Sequence, residues 1–71
     1  MKLPTDISGK ELAAVAVRLG FEARRQKGSH LILRKDDKLL VIPLHKSIKK
    51  GTLLHILKMM GISKEDLLKL V

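Results

Sequence analysis

Cysteine is absent from the 71-residue sequence, which excludes a disulfide framework and a metal site built from thiolates. Aromatic residues are nearly absent too, since Phe21 is the only one. Proteins that hold single-stranded nucleic acid by base stacking need several exposed aromatic rings, so this binding mode is excluded as well. Contacts with nucleic acid would have to be made to phosphates and sugar hydroxyls.

Long apolar runs are also missing from the sequence. No segment approaches the roughly 20 apolar residues that cross a bilayer, and the N-terminal stretch MKLPTDISGKEL lacks the apolar region of a signal peptide. We therefore expect a soluble, cytoplasmic protein without a membrane partner. The length leaves room for one small domain, which we expect to occupy residues 1–71.

Positive charge is what the sequence has in excess. Fifteen Lys and Arg residues stand against seven Asp and Glu residues, which gives a formal net charge of +8 at pH 7. A strongly basic small domain is typical of proteins that bind a polyanion, and nucleic acid is the commonest polyanion in a cell. The composition favours a nucleic-acid partner, with an acidic protein as the alternative.

Two segments carry the signature of a helix start. Each segment has a serine followed three residues later by an acidic residue, so that a hydroxyl and a carboxylate can satisfy backbone donors. The pairs are Ser8 with Glu11 and Ser63 with Asp66. Apolar residues at helical spacing follow, and Gly20 and Gly61 are suited to end the first and second helices. The predicted core residues of the helices are Leu12, Val15, Ala16, Leu19, Leu53, Ile56, Leu57, Met60, Leu67, Leu68 and Val71.

In three segments between the main helices, apolar and polar residues tend to alternate, as they do in strands. The segments read FEARRQK, HLILR and KLLVIP. In the first, strict alternation would place Ala23 and Arg25 on one face, together with Phe21. Asp36 and Asp37 predict a tight hairpin between the second and third. The order predicts an α+β fold of α-β-β-β-α type, a three-stranded antiparallel sheet with helices on one face and the other face open.

Three histidines are the natural candidates for proton transfer, because histidine titrates near neutral pH. His55 is expected on the exposed side of its helix, where a solvated histidine needs no functional explanation. His45 follows the third strand as a loop residue that could contact a substrate. His30 follows Gly28, which permits close approach of a ligand, and Ser29, which offers a hydroxyl. From these residues alone, a solvated histidine at a strand edge is the more economical interpretation of His30.

Basic residues near these histidines could hold phosphate. No carboxylates accompany the histidines at metal-ligand spacing, and neither a Walker-type phosphate loop nor a serine-nucleophile elbow occurs. The sequence therefore predicts a site without a metal or another cofactor. The candidate phosphate-binding residues are Arg24, Arg25, Lys27, Arg34 and Lys46.

The segment GSHLILRKDDKLLVIPLHKSIKKGTLLHILKMMGIS resembles the HicA-type mRNA interferase toxins, also called YcfA-like. Three motifs carry the resemblance: G-S-H at the second strand, P-x-H after the third, and K-x-G-T-L-x-x-I-L-K-x-x-G-I-S around the second helix. Many members have a second histidine after G-S-H, where this chain has Leu31. Their hairpin usually carries Asp-Gly, where this chain reads DDK.

This resemblance implies the toxin of a type II toxin–antitoxin system, with a double-stranded-RNA-binding-like fold. It also implies a metal-independent endoribonuclease that cleaves mRNA and is inhibited by a HicB-type antitoxin. By position, His30 is then the catalytic histidine, Gly28 and Ser29 are its motif neighbours, and His45 is the P-x-H histidine. His45 and Lys46 are both candidates to complement His30. A non-catalytic RNA-binding domain with the same basic surface is the alternative function.

Overall fold

A computed structural model describes residues 7–70 of the chain. The predicted order is confirmed, since a helix is followed by three strands and then by two helices, the last of which is short. The elements are α1 (Gly9–Arg18), β1 (Glu22–Lys27), β2 (His30–Lys35), β3 (Lys38–Pro43), α2 (Lys50–Met60) and α3 (Lys64–Leu70). Over residues 7–70, every helix falls short of the length and apolar character that a bilayer span requires.

The two predicted capping boxes are confirmed. At α1 the Ser8 hydroxyl accepts from the Glu11 N–H at 3.1 Å, and the Glu11 carboxylate accepts from the Ser8 N–H at 3.2 Å. Ser63 and Asp66 make the same pair of bonds before α3, at 3.1 and 3.3 Å. Gly61 ends α2 in the left-handed region at φ 76°, as predicted. The helix boundaries thus follow from local sequence chemistry.

The strands form one antiparallel sheet in the order β1-β2-β3, joined by two-residue turns. In the first turn Gly28 has φ 62°, and in the second Asp36 has φ 54°. Tight hairpins need positive φ at a central position, which glycine adopts freely and aspartate tolerates. Gly28 therefore has a conformational role in the turn, and a side chain there would meet no atom within 4 Å.

Strand β1 contains an irregularity that the alternating sequence pattern does not predict. Ala23 pairs with Leu33 whereas Arg25 pairs with Ile32, so Arg24 is an extra residue between successive pairs. Paired residues share a face of the sheet, and adjacent residues such as Ile32 and Leu33 lie on opposite faces. The prediction that Ala23 and Arg25 share a face is therefore wrong, because the bulge turns Arg25 to the face of Ile32.

The core lies between one face of the sheet and the helices. On this face Leu33, Leu40 and Ile42 are buried, whereas Leu39 and Val41 on the other face are 56% and 44% exposed. Both main helices pack on the buried face and leave the opposite one open, as predicted. The buried apolar residues are Ile7, Leu12, Ala13, Val15, Ala16, Phe21, Leu33, Leu40, Ile42, Ile48, Leu53, Ile56, Leu57, Met60 and Leu67.

Two of the predicted core residues are less buried than expected. Leu19 is only partly buried because it follows the last turn of α1, although it packs against the core. Leu68 is 38% exposed, since it is adjacent to the buried Leu67 on a helix and projects in a different direction. Val71, also predicted for this cluster, lies outside the described residues.

Candidate active site

The turn that carries G-S-H and the end of β3 that carries P-x-H are adjacent in the structure. His30 pairs with Pro43 across β2 and β3. One residue beyond this pair, the Leu44 N–H donates to the Ser29 carbonyl at 2.6 Å. The hydrogen bond extends the ladder past the end of the sheet, so the two motifs form one edge of the molecule.

A depression of about 400 Å³ opens at this edge. It is bounded by the open face of the sheet on one side and by the β3–α2 connection and the first turn of α2 on the other. Both His30 and His45 line it, and both are exposed to solvent. The full lining consists of His30, Val41, Pro43, His45, Ile48, Lys49 and Thr52.

Leu31, which replaces the second histidine of many HicA-type sequences, faces away from this depression. It is partly buried and packs against the core, whereas His30 before it lies on the open face. Adjacent residues of a strand point to opposite faces of the sheet. The leucine therefore leaves the His30 side of the sheet unchanged.

Two of the predicted phosphate-binding cations lie close to His30 on the same face of the sheet. Lys27 pairs directly with His30, and Arg25 pairs with Ile32, the next residue of β2 on that face. The bulge at Arg24 makes this possible, because it turns Arg25 to the open face. Arg25, Lys27 and His30 therefore form one strip on the open face of the sheet, across β1 and β2.

Arg24 and Arg34 lie at the other end of the strands, and the structure does not bring them to His30. Arg34 is four residues along β2, which corresponds to roughly 13 Å of extended strand. Its Nε donates to the Asp36 carbonyl at 2.9 Å, and Arg24 forms an ion pair with Glu22 at 3.4 Å. A second depression, of about 370 Å³, is lined by Gly20, Glu22, Arg24, Arg34, Lys35 and Asp36.

Lys49 and Thr52 line the histidine depression, although neither was predicted as a site residue. Lys46, which was predicted, is exposed but is not part of the lining. The K-x-G-T portion of the third motif begins at Lys49 and contains Thr52, and this signal could have identified both. None of the residues in the first turn of α2 is acidic, so the positive end of the helix dipole is not offset there.

Over residues 7–70, no three His, Asp or Glu side chains are grouped so that they could hold a metal ion. His30 and His45 thus lack a third potential ligand within the described range. His55 is exposed on α2 and does not line the depression. The arrangement offers two imidazoles, a lysine and a threonine hydroxyl to a ligand, a set suited to proton transfer beside an anion.

No curated protein sequence matches this chain. A family model described as the HicA toxin of bacterial toxin–antitoxin systems matches residues 9–62. This range runs from the start of α1 to the residue after Gly61 and contains every residue that lines the histidine depression. It covers well over half of the chain, and the chain therefore belongs to the HicA family of toxins from bacterial toxin–antitoxin systems.

Proposed function

We propose that this toxin is a metal-independent endoribonuclease that cleaves mRNA, with His30 as its catalytic residue. One observation carries the proposal: His30 and His45 come from separate motifs, and both line one solvent-open depression within the family match. General acid–base catalysis requires such proton-transfer groups within reach of one substrate. The net charge of +8 supplies attraction to a polyanionic substrate.

The reaction that suits these groups uses the ribose 2′-hydroxyl as the nucleophile. An imidazole accepts the 2′-hydroxyl proton while the 2′-oxygen forms a bond to phosphorus, and the bond from phosphorus to the 5′-oxygen breaks. A second group donates a proton to the departing 5′-oxygen. The products are a 2′,3′-cyclic phosphate and a free 5′-hydroxyl, and water enters only if the cyclic phosphate is later opened.

His45 is the better candidate to complement His30 in this reaction. His45 and His30 line the same depression, whereas Lys46 does not line it. A neutral imidazole accepts a proton and an imidazolium donates one, so two histidines can supply the base and the acid. Either histidine can fill either role, since both are exposed to solvent and line the same depression.

Lys49 and Thr52 are suited to the scissile phosphate. A lysine ammonium and a threonine hydroxyl both donate hydrogen bonds, and a cation stabilises the extra negative charge that develops on the phosphate oxygens. Lys27 and Arg25 continue the positive strip across the sheet, and Arg34 and Arg24 lie farther along it. The RNA backbone would cross the open face, and Arg34 and Arg24 would contact phosphates farther from the scissile one.

The decisive experiment is an RNA degradation assay with purified protein and its His30→Ala variant. Cleavage by the parent protein and not by the variant supports the proposal. Binding of RNA without cleavage by the parent would instead favour the non-catalytic RNA-binding domain. No RNA binding at physiological salt would favour a basic face that serves only an acidic protein partner.

A toxin of this family has an antitoxin partner, and we propose a HicB-type protein that covers the open face around His30. This face combines exposed apolar side chains, Leu39 and Val41, with the cations Lys27 and Arg34. An acidic segment with apolar side chains would match both features. Covering the face would inhibit the toxin by excluding RNA from the histidines.

A further inference from the structure

The first residue of α1 contacts the backbone of the segment that carries His45. Gly9 is buried, and its N–H donates to the His45 carbonyl at 2.9 Å. A Cβ atom built on Gly9 would overlap the Pro43 carbonyl oxygen and would lie 2.8 Å from the Leu44 Cα. Both atoms belong to the main chain, so rotation of a side chain cannot relieve the overlap.

This glycine is not needed for the local backbone conformation. The positive-φ glycines are Gly20, Gly28 and Gly61, and Gly9 is not among them. Alanine is the better helix former at an ordinary helical position. The close approach of α1 to the β3–α2 connection is therefore what requires glycine at position 9.

The connection is held on both sides of His45. Toward β3, the Leu44 N–H donates to the Ser29 carbonyl at 2.6 Å, next to His30. Toward α2, the Ile48 N–H donates to the Ile7 carbonyl at 2.9 Å, and the Ile48 side chain is buried. The Ser8 capping box fixes the start of α1 between these contacts. Residues that do not line the depression, among them Ile7 and Gly9, thus help to determine where the His45 backbone lies.

We propose that Gly9 is a positioning residue for catalysis, which acts by setting the distance of His45 from His30. This inference rests on the proposed ribonuclease function. A Cβ at position 9 pushes the 43–45 backbone away from α1 and moves the His45 imidazole relative to His30 and the bound phosphate. Cation contacts with RNA remain, because Lys27 and Arg25 lie on β1 and Lys49 caps α2, beyond the Ile48 contact that anchors the end of the connection.

The test is Gly9→Ala, with cleavage measured over a range of RNA concentrations. We expect kcat to fall by about 10-fold to 100-fold, the scale of an error near 1 Å in positioning, with KM nearly unchanged. Amide and imidazole NMR signals of His45 should shift. The matched control is Ala16→Gly, which changes one methyl group two turns farther along α1 and should lower Tm without changing kcat.

A double variant separates positioning from general damage to the fold. If Gly9 acts through His45, Gly9→Ala should hardly reduce kcat in a protein whose His45 has already been replaced by alanine. The same reduction of kcat with and without His45, or a folded Gly9→Ala protein that cuts at the parent rate, would overturn the inference.

If Gly9→Ala does not fold, Ser8→Ala loosens the same junction without adding an atom. It should lower kcat, because without the cap the start of α1 no longer holds the His45 carbonyl firmly, and an unchanged kcat would overturn the inference.

Failure of the ribonuclease proposal would be distinguishable from failure of this one. A parent protein that cuts no RNA refutes the proposed function. The His45 NMR signals of Gly9→Ala still test the positioning in that case, since they depend on the structure alone. Unshifted signals in a folded variant would refute the positioning role whatever the activity.

Discussion

The carbonyl oxygen of Ser29 accepts a hydrogen bond from the Leu44 N–H at 2.6 Å. Each of these residues directly precedes a histidine, His30 in one case and His45 in the other. Fifteen positions separate the two histidines in the sequence, and this backbone contact, just past the end of the β2–β3 ladder, joins the segments that carry them. The chemistry proposed for the toxin depends on that junction.

Replacing His30 by alanine should reduce RNA cleavage by about 10²-fold to 10⁴-fold, the usual range for a general acid or base. The fold should survive, because the side chain is exposed and the core residues are untouched. RNA affinity should change little, since the phosphate-binding cations remain. Single-turnover cleavage, circular dichroism and a binding titration measure these three quantities.

His55→Ala is the matched control for this prediction. It removes the same side chain from an exposed position on α2 outside the depression, and it should leave the cleavage rate unchanged. A folded His30→Ala protein that degrades RNA at the parent rate would refute the catalytic role.

Lys49→Ala should lower kcat/KM for RNA by about tenfold, the scale of one hydrogen bond to a charged group. Lys58→Ala removes the same charge nine residues farther along α2, roughly 13 Å away, and should change the rate by less than about twofold. The loss of kcat/KM for Lys46→Ala should lie between the losses for Lys49→Ala and Lys58→Ala. Equal losses at Lys49 and Lys58 would show that only net charge matters.

An RNA with a single 2′-deoxy sugar at the scissile position should bind as well as the parent RNA and remain uncut. The internal nucleophile is missing from this substrate, whereas its phosphates are unchanged. Products from the unmodified RNA should carry a cyclic phosphate, which mass spectrometry detects. Efficient cutting of the deoxy substrate would rule out the internal nucleophile and leave a role for His30 open.

Cleavage should persist in excess EDTA. Within residues 7–70, no grouping of three potential ligands is available to a divalent cation, and the proposed proton transfers use side chains alone. The assay compares initial rates with and without chelator at constant ionic strength. Activity that is lost on chelation and restored by adding a metal back would reveal a metal requirement.

Charge reversal at Lys27 and Arg34 together should slow association with the antitoxin by more than about tenfold at low salt. Both cations lie on the open face that the antitoxin is proposed to cover. The control reverses Lys58 and Lys64 on α2 and α3, which changes net charge equally on other elements. Stopped-flow association rates that do not change for the first variant would exclude this face as the interface.

Most of the fold could be predicted from local patterns in the sequence. The capping boxes at Ser8 and Ser63 mark helix starts because a hydroxyl and a carboxylate three residues apart satisfy backbone donors. Apolar spacing identified Leu12, Val15, Ile56 and Leu57 as core, and all four are buried. These features depend only on neighbours within a few residues.

The arrangement of the candidate site was less predictable. Proximity in sequence grouped Arg24 and Arg34 with His30, but an extended strand carries Arg34 roughly 13 Å away. Lys49 was overlooked because it lies nineteen residues after His30, yet it lines the same depression. Sequence distance is a poor measure of spatial distance once strands and helices have formed.

The sequence by itself determined the order of the elements, the excess of positive charge and the identity of the HicA motifs, because each is local or compositional. Tertiary structure alone decided which residues meet. The bulge at Arg24 turned Arg25 to the His30 face, and the contact of Gly9 with the Pro43–Leu44 backbone set the position of His45. Both outcomes depend on strand register and helix packing, which are properties of the folded chain as a whole.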